Sequence, residues 1–357
     1  MTTWPSINRD NNFDLIRLFA AMQVAFSHGA EHLYLGIPGT VDQLIRAFPG
    51  VPIFFFISGL LVTSSVVRRP LPEYTASRFR RIYPALFVTF VLALILLVAF
   101  GQITAREITT PVFWIWTFTQ VTVFQVFNPD IFRDFGVGTV NGSLWTIPVE
   151  IGFYIILPIL FWIGRSNRRA LSALLVASGI ISFAIYSVTK GVDEPLLIKI
   201  VRVTPLAHFW LFALGALCYL HLERIMGALS HLGRGPLGWA IPLAAYTGFA
   251  VLLAPSLTEW VADAIGFVIL ASAILCAGLV APSAAKVLGG NDISYGLYLY
   301  HMLVVNMLLE LRITGATGVM ATLVISIALA TLSWRYIESV VLHRKKRALT
   351  PADRFPA

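Results

Sequence analysis

The chain has 357 residues, 57% of them hydrophobic and 12% charged, with a formal net charge of +8. A soluble domain carries about 25% charged residues, so the composition excludes an ordinary soluble enzyme and points to the bilayer. The basic residues sit in short runs between apolar stretches, "RRPLPEYTASRFRR" (68–81), "GRSNRR" (164–169) and "HRKKR" (343–347); that is the pattern of cytoplasmic loops and argues against a nucleic-acid surface.

A bilayer-crossing helix needs about 20 mostly apolar residues. Ten stretches qualify: 13–33, 49–67, 80–100, 144–163, 170–188, 205–221, 238–255, 261–281, 293–311 and 317–340. The run 111–127, "PVFWIWTFTQVTVFQVF", is an eleventh candidate. Charge placement decides it. Runs 68–81 and 165–169 both belong inside, so an odd number of crossings lies between 100 and 164, and 144–163 supplies one. The aromatic-rich 111–127 is therefore expected to be re-entrant or interfacial. Farther on, "HLERIMGALSHLGRG" falls inside, "SLTEW" outside and "HRKKR" inside.

The expected fold class is an all-α integral membrane protein of about ten transmembrane helices in one bundle, both termini cytoplasmic. Residues 1–357 read as a single transmembrane domain, a helical bundle over 12–340 and a basic cytoplasmic tail over 341–357. The stretch 189–204 fits least well: placed outside, it carries two Lys and one Arg against Asp193 and Glu194. Cys218 and Cys276 lie in apolar runs and offer neither a disulfide framework nor metal spacing. The polar first 12 residues and the charges that follow do not read as a cleaved signal peptide.

An ionisable side chain in such a helix is costly, about 2.5–3.5 kcal/mol on insertion scales, and marks function by default. The first span carries three, in "DLIRLFAAMQVAFSH". Arg17 and His28 are eleven residues apart, close to three turns, so they share a face and lie about 16 Å apart along the axis. Asp14 is on the same side, and Ala21, Val24 and Ala25 keep the face between them small. Alone, Arg17 would read as an interfacial arginine; the pair reads as a working groove.

In "GSLWTIPVEIGFY" (142–154), Glu150 lies about 9 Å below the outer end of its span, with Tyr154 one turn on and sharing its face. His28 reaches a similar depth, so the two fit a general base with its orienting carboxylate. Equally, Glu150 could pair with an Arg simply to hold helices together. Arg78, Arg80 and Arg81 open the third span; guanidinium binds phosphate bidentately, though topogenic charge beside anionic lipid is the commoner meaning of such a run. Ser58-Gly59 allows close approach of a helix or ligand. His301, in "SYGLYLYH", lies about 12 Å from the cytoplasmic end of its span and reads as a structural hydrogen bond. His32, His221, His231 and His343 show no metal-ligand spacing.

Taken together, Arg17 and His28 with ten residues between them, "FPGVPIFFFISGLL", "RFRRIYP", "SLWTIPVEIGFYIILP" and "ISYGLYLYH" resemble, in that order, the membrane-bound acyltransferase-3 family. The resemblance runs from about residue 11 to 340. It implies transfer of an acyl group, usually acetyl, from acyl-CoA to a hydroxyl of a glycan, glycolipid or small glycoside, in the bacterial inner membrane and without a metal. It implies His28 as the catalytic histidine with Arg17 as its motif partner, and Glu150 beside it. Arg78, Arg80 and Arg81 match the family's basic motif, the expected site for CoA phosphates; Ser58, Gly59, Trp145 and Tyr154 match further family motifs and are placed with the donor. Two departures stand out. No C-terminal hydrolase-like domain follows, and "RYIESV" lacks the Pro that often follows Glu there, so Glu338 is left out of the expected site.

The mechanism this suggests is deprotonation of an acceptor hydroxyl by His28, oriented by Glu150, with attack on the thioester; an acyl-His28 intermediate competes. Membrane lipids are the other expected partner, nucleic acid is not expected, and a homo-oligomer is left open. A proton-coupled secondary transporter using Arg17, His28 and Glu150 as its pathway is the alternative class.

Overall fold

The computed structural model describes residues 4–7, 10–164, 167–192, 195–229 and 237–342, and among these no strand occurs. The basic run 343–347 and the rest of the expected tail to 357, with parts of the 165–169 and 221–235 loops, lie outside the described residues.

The chain opens with α1 (Phe13–His32), a short α2 (Gly39–Ala47), α3 (Gly50–Arg68) and the long α4 (Leu71–Ala99). Two small helices, α5 (Ala105–Ile108) and α6 (Pro111–Val121), precede α7 (Thr146–Gly164) and α8 (Arg168–Thr189). Next come α9 (Leu196–Arg202), α10 (Pro205–Leu220), α11 (Leu222–Leu229) and α12 (Leu237–Gly248). The last three are α13 (Glu259–Leu275), α14 (Ser294–Glu310) and α15 (Gly315–Ser333).

Local sequence explains the starts. Pro sits in the first turn of α4, α6 and α10, where its missing N–H is no loss. Asn12 anchors α1: its amide donates to the Ala277 and Pro282 carbonyls at 3.0 and 3.1 Å, and its oxygen accepts from Ala284 N–H at 2.7 Å.

Each expected span contains a helix. Eight helical stretches are long and apolar enough to cross a membrane. The two others are α1, of 20 residues, and α14, of 17. Fourteen residues of α14 are buried, so it is surrounded by protein rather than lipid. It packs against α1, α4 and α15, while α10 packs against α3 and α8. The α3–α10 crossing is close because both helices carry glycine there. A Cβ on Gly59 would overlap the Phe212 carbonyl, and one on Gly215 the Phe56 carbonyl.

The 111–127 run does not cross. Its helix, α6, has 11 residues, about 16 Å against a hydrocarbon core of about 30 Å. Trp116 is buried against Phe132, while Trp114, Ile115 and Phe118 are exposed, as expected of a segment at the headgroup level. In 189–204, where Asp193 and Glu194 lie outside the described residues, the charge of Lys190 is met from another helix. Lys190 lies 2.6 Å from Asp263 and 3.8 Å from Glu259, both on α13.

Candidate active site

Between α1, α3, α4, α7 and α14 lies a cavity of about 300 Å³, and its wall contains Arg17, Ser58, Arg78, Arg81, Glu150 and Tyr154. Six of the ten expected site residues thus meet, from four helices. An acid in the turn before α14 organises two of them. Asp292 takes Arg81 at 2.7 Å and Arg17 at 3.1 Å, and Arg17 also pairs with Asp14 within its own helix. Burial would raise the pKa of Asp292, but the two guanidiniums and the Ser294 hydroxyl hold it well below the usual carboxylate range.

Arg78 differs from its neighbours. Its guanidinium lies 5.9 Å from the Tyr74 ring centroid and 5.4 Å from that of Tyr154, with Nε donating to Ser77 Oγ at 3.3 Å. No ion pair to Arg78 occurs among the described residues. It is the cation left available for an incoming anion. Glu150 accepts from the Tyr154 hydroxyl and, at 3.5 Å, from Ser58 Oγ.

Arg80, Gly59, Trp145 and His28 are not in this wall. One residue along a helix turns about 100°, so Arg80 faces away and joins Leu71 and Phe79 on an outer surface. Gly59 is taken up by the α3–α10 crossing. The Trp145 ring lies 6.5 Å from Phe55 and 5.2 Å from His208 and lines a separate, smaller cavity.

The expected pairing of His28 with Glu150 is not the arrangement found. His28 Nδ1 lies 2.8 Å from His301 Nε2, with the rings stacked at 5.1 Å. His301 is fully buried, and its Nδ1 lies 2.7 Å from the Tyr298 carbonyl. A carbonyl only accepts, so His301 Nδ1 carries the proton. With neutral His301, Nε2 is then an acceptor, and His28 Nδ1 must donate to it. The lone pair of His28 is therefore on Nε2. Tyr298 connects the two regions: it lines the cavity, and its hydroxyl lies 3.2 Å from Thr146 Oγ1 and donates to Ser143 O at 3.1 Å.

Sequence reasoning missed three participants. His301 had a usable signal, an imidazole well inside an apolar span. Asp292, just outside an apolar span, gave none. Glu338 was set aside, yet it is 2% exposed in a π-helical turn, Trp334–Glu338. Its Oε1 accepts from Ser333 Oγ at 2.8 Å, which in turn accepts from the Tyr300 hydroxyl at 2.6 Å. Among the described residues no three His, Cys, Asp or Glu are grouped to hold a metal ion.

Comparison with known proteins follows the same lines. Residues 10–335 match the acyltransferase domain model of the acyltransferase-3 family. Nodulation protein 10 of Rhizobium leguminosarum bv. viciae is 34% identical over 348 residues, covering 92% of each chain. An O-acetyl transferase of Shigella phage Sf6 is 33% identical over 159 residues, 42% of this chain and 45% of the other. A peptidoglycan O-acetyltransferase of Listeria monocytogenes is 22% identical over 322 residues, 82% of this chain and 51% of the other. No solved structure matches.

Proposed function

The chain belongs to the acyltransferase-3 family, and from that premise we propose that it is a bacterial inner-membrane O-acetyltransferase, with cytoplasmic acyl-CoA as donor and a sugar hydroxyl as acceptor. The observation that carries the reading is the hydrogen-bond chain from the Tyr298 carbonyl through His301 to His28. It leaves His28 Nε2 basic and its ring held.

The cavity suits one end of such a donor. Arg78, stacked and without a carboxylate partner, receives phosphate, while Arg17 and Arg81 supply positive field although Asp292 holds them. About 300 Å³ is at the small end for a ligand pocket, so it admits a slender arm and leaves the nucleotide at the mouth. His28 Nε2 takes the acceptor hydroxyl's proton as the oxygen attacks the thioester carbon; the C–S bond then breaks, and CoA leaves as the thiol with the proton that the imidazolium returns. His301 accepts from His28 Nδ1 and fixes the tautomer, the part first assigned to Glu150. Glu150 instead holds Tyr154 and Ser58 in the cavity wall. The family match weighs against the transporter alternative.

The test is CoA release from acetyl-CoA by detergent-purified protein with a panel of glycan acceptors, wild type against His28→Ala. Acceptor-stimulated release should be lost in the variant while acetyl-CoA binding persists. Neither release nor acetyl-CoA binding by the wild type would sink the reading.

A further inference from the structure

A second, smaller cavity of about 130 Å³ lies between the 116–128 segment and the turn that leads into α7. Gln120, Gln125, Asn128 and Asn141 contribute to its wall together with the indoles of Trp116 and Trp145, and no charged side chain does. Two of the carboxamides are engaged at both ends. Asn128 donates to Gly138 O at 2.9 Å and accepts from Val140 N–H at 3.2 Å. Asn141 donates to Leu299 O at 2.9 Å and accepts from Ser143.

Gln125 is different. It is 4% exposed, its amide donates to the Thr122 carbonyl, and its Oε1 has no partner among the described residues. The orientation is fixed, since a carbonyl can take only the NH₂ end. Gln120 is loosely held as well, with two contacts of 3.4 Å to the Gln125 and Phe127 carbonyls. A buried oxygen left unpaired is costly, so the cavity calls for an occupant that brings O–H or N–H donors. A charged occupant would find no counter-ion there. At about 130 Å³ the cavity is too small for a whole sugar ring, but it suits one hydroxyl-bearing edge, with the rest of the ring outside its mouth.

The position supports this. Asn141 is fastened to α14 at Leu299, and Gly142 lies against Met302; these two α14 residues bracket His301, the partner of His28. We propose that this carboxamide-lined cavity is the subsite for the hydroxyl edge of a neutral acceptor sugar, with Gln125 Oε1 accepting a sugar hydroxyl. The proposal rests on the acyltransferase reading and names where its acceptor binds.

The experiment uses the full chain in detergent and the methyl glycosides of glucose, galactose, rhamnose and N-acetylglucosamine, titrated by tryptophan fluorescence. The wild type should bind at least one. Gln125→Leu should weaken that binding tenfold or more with acetyl-CoA binding unchanged. Val203→Phe fills the cavity from another wall without touching Gln125, and should weaken it likewise, so a folding defect in one variant does not decide the matter. Binding of none of the four glycosides, or equal binding by both variants, would overturn the proposal. Glycoside binding that both variants weaken, without acceptor-stimulated CoA release from acetyl-CoA, would leave a sugar site in the cavity and overturn its assignment to the acceptor.

Discussion

His301 acts through His28, so its removal should have a particular signature. His301→Leu takes away the acceptor for His28 Nδ1 and frees the imidazole to change tautomer. General base catalysis contributes about 10²–10⁴-fold; kcat should fall by about 10²-fold with the donor KM unchanged. His301→Gln, whose carboxamide oxygen can accept the same bond, should recover part of it; equal loss in both variants would reduce His301 to packing. Arg78 should show the opposite split. A hydrogen bond to a charged group contributes about 1.5–3 kcal/mol, so Arg78→Ala should raise the donor KM by about tenfold or more and leave kcat nearly unchanged. Asp292 is a matter of stability. It sits between Arg17 and Arg81, all three side chains at most 19% exposed, and breaking such a buried arrangement costs about 3–5 kcal/mol. Asp292→Asn should therefore melt well below the wild type. Because the folded pKa of Asp292 is depressed, its contribution is fully present above the unfolded carboxylate pKa of about 3.9 and is lost as pH falls below it. Melting at pH 5 and pH 8 should show the same deficit in Asp292→Asn; a deficit at pH 8 alone would contradict the shift.

Among the elements, the α3–α10 crossing is the least tolerant of change. Gly59→Val drives a side chain into the Phe212 carbonyl, which only separation of the helices relieves, so the yield of folded protein should collapse. Gly248→Ala, at the end of α12 with open space around it, should leave melting unchanged or slightly raised. A similar yield for both would mean the crossing is looser than it is drawn. The helices themselves were legible in the sequence, because hydropathy over about 20 residues is a local property. The standing of 111–127 was legible too, from charge parity. Neighbour relations were not. Glu150 and His28 lie at similar depth by counting along their spans, but only packing decides that α1 lies against α14, where His301 waits, and that α7 turns Glu150 toward Tyr154 and Ser58. For the same reason Arg78 and Arg81, three residues apart, enter the cavity while Arg80 between them does not. Charge alone made them equivalent; helix phase separates them.

For the whole molecule, the reading depends on sidedness. The arginine-lined cavity and His28 sit at opposite ends of a stretch of α1 about 16 Å long. A donor entering from one side and an acceptor from the other then meet within the bundle, with neither crossing the full bilayer of about 30 Å. That works only if the start of α4 faces the cytoplasm, where acyl-CoA is made, and the α4–α6 connection faces outward. Single cysteines test it. Ala76, at the start of α4, and Ala105, at the start of α5, are both exposed. With Cys218 and Cys276 replaced, a membrane-impermeant maleimide added to intact cells should label Ala105→Cys and should reach Ala76→Cys only after lysis. The reverse pattern would put Arg17, Arg78 and Arg81 outside, beyond reach of acyl-CoA. The cavity would then have to take an anion from the extracytoplasmic side, and the direction of transfer proposed above would fall with it.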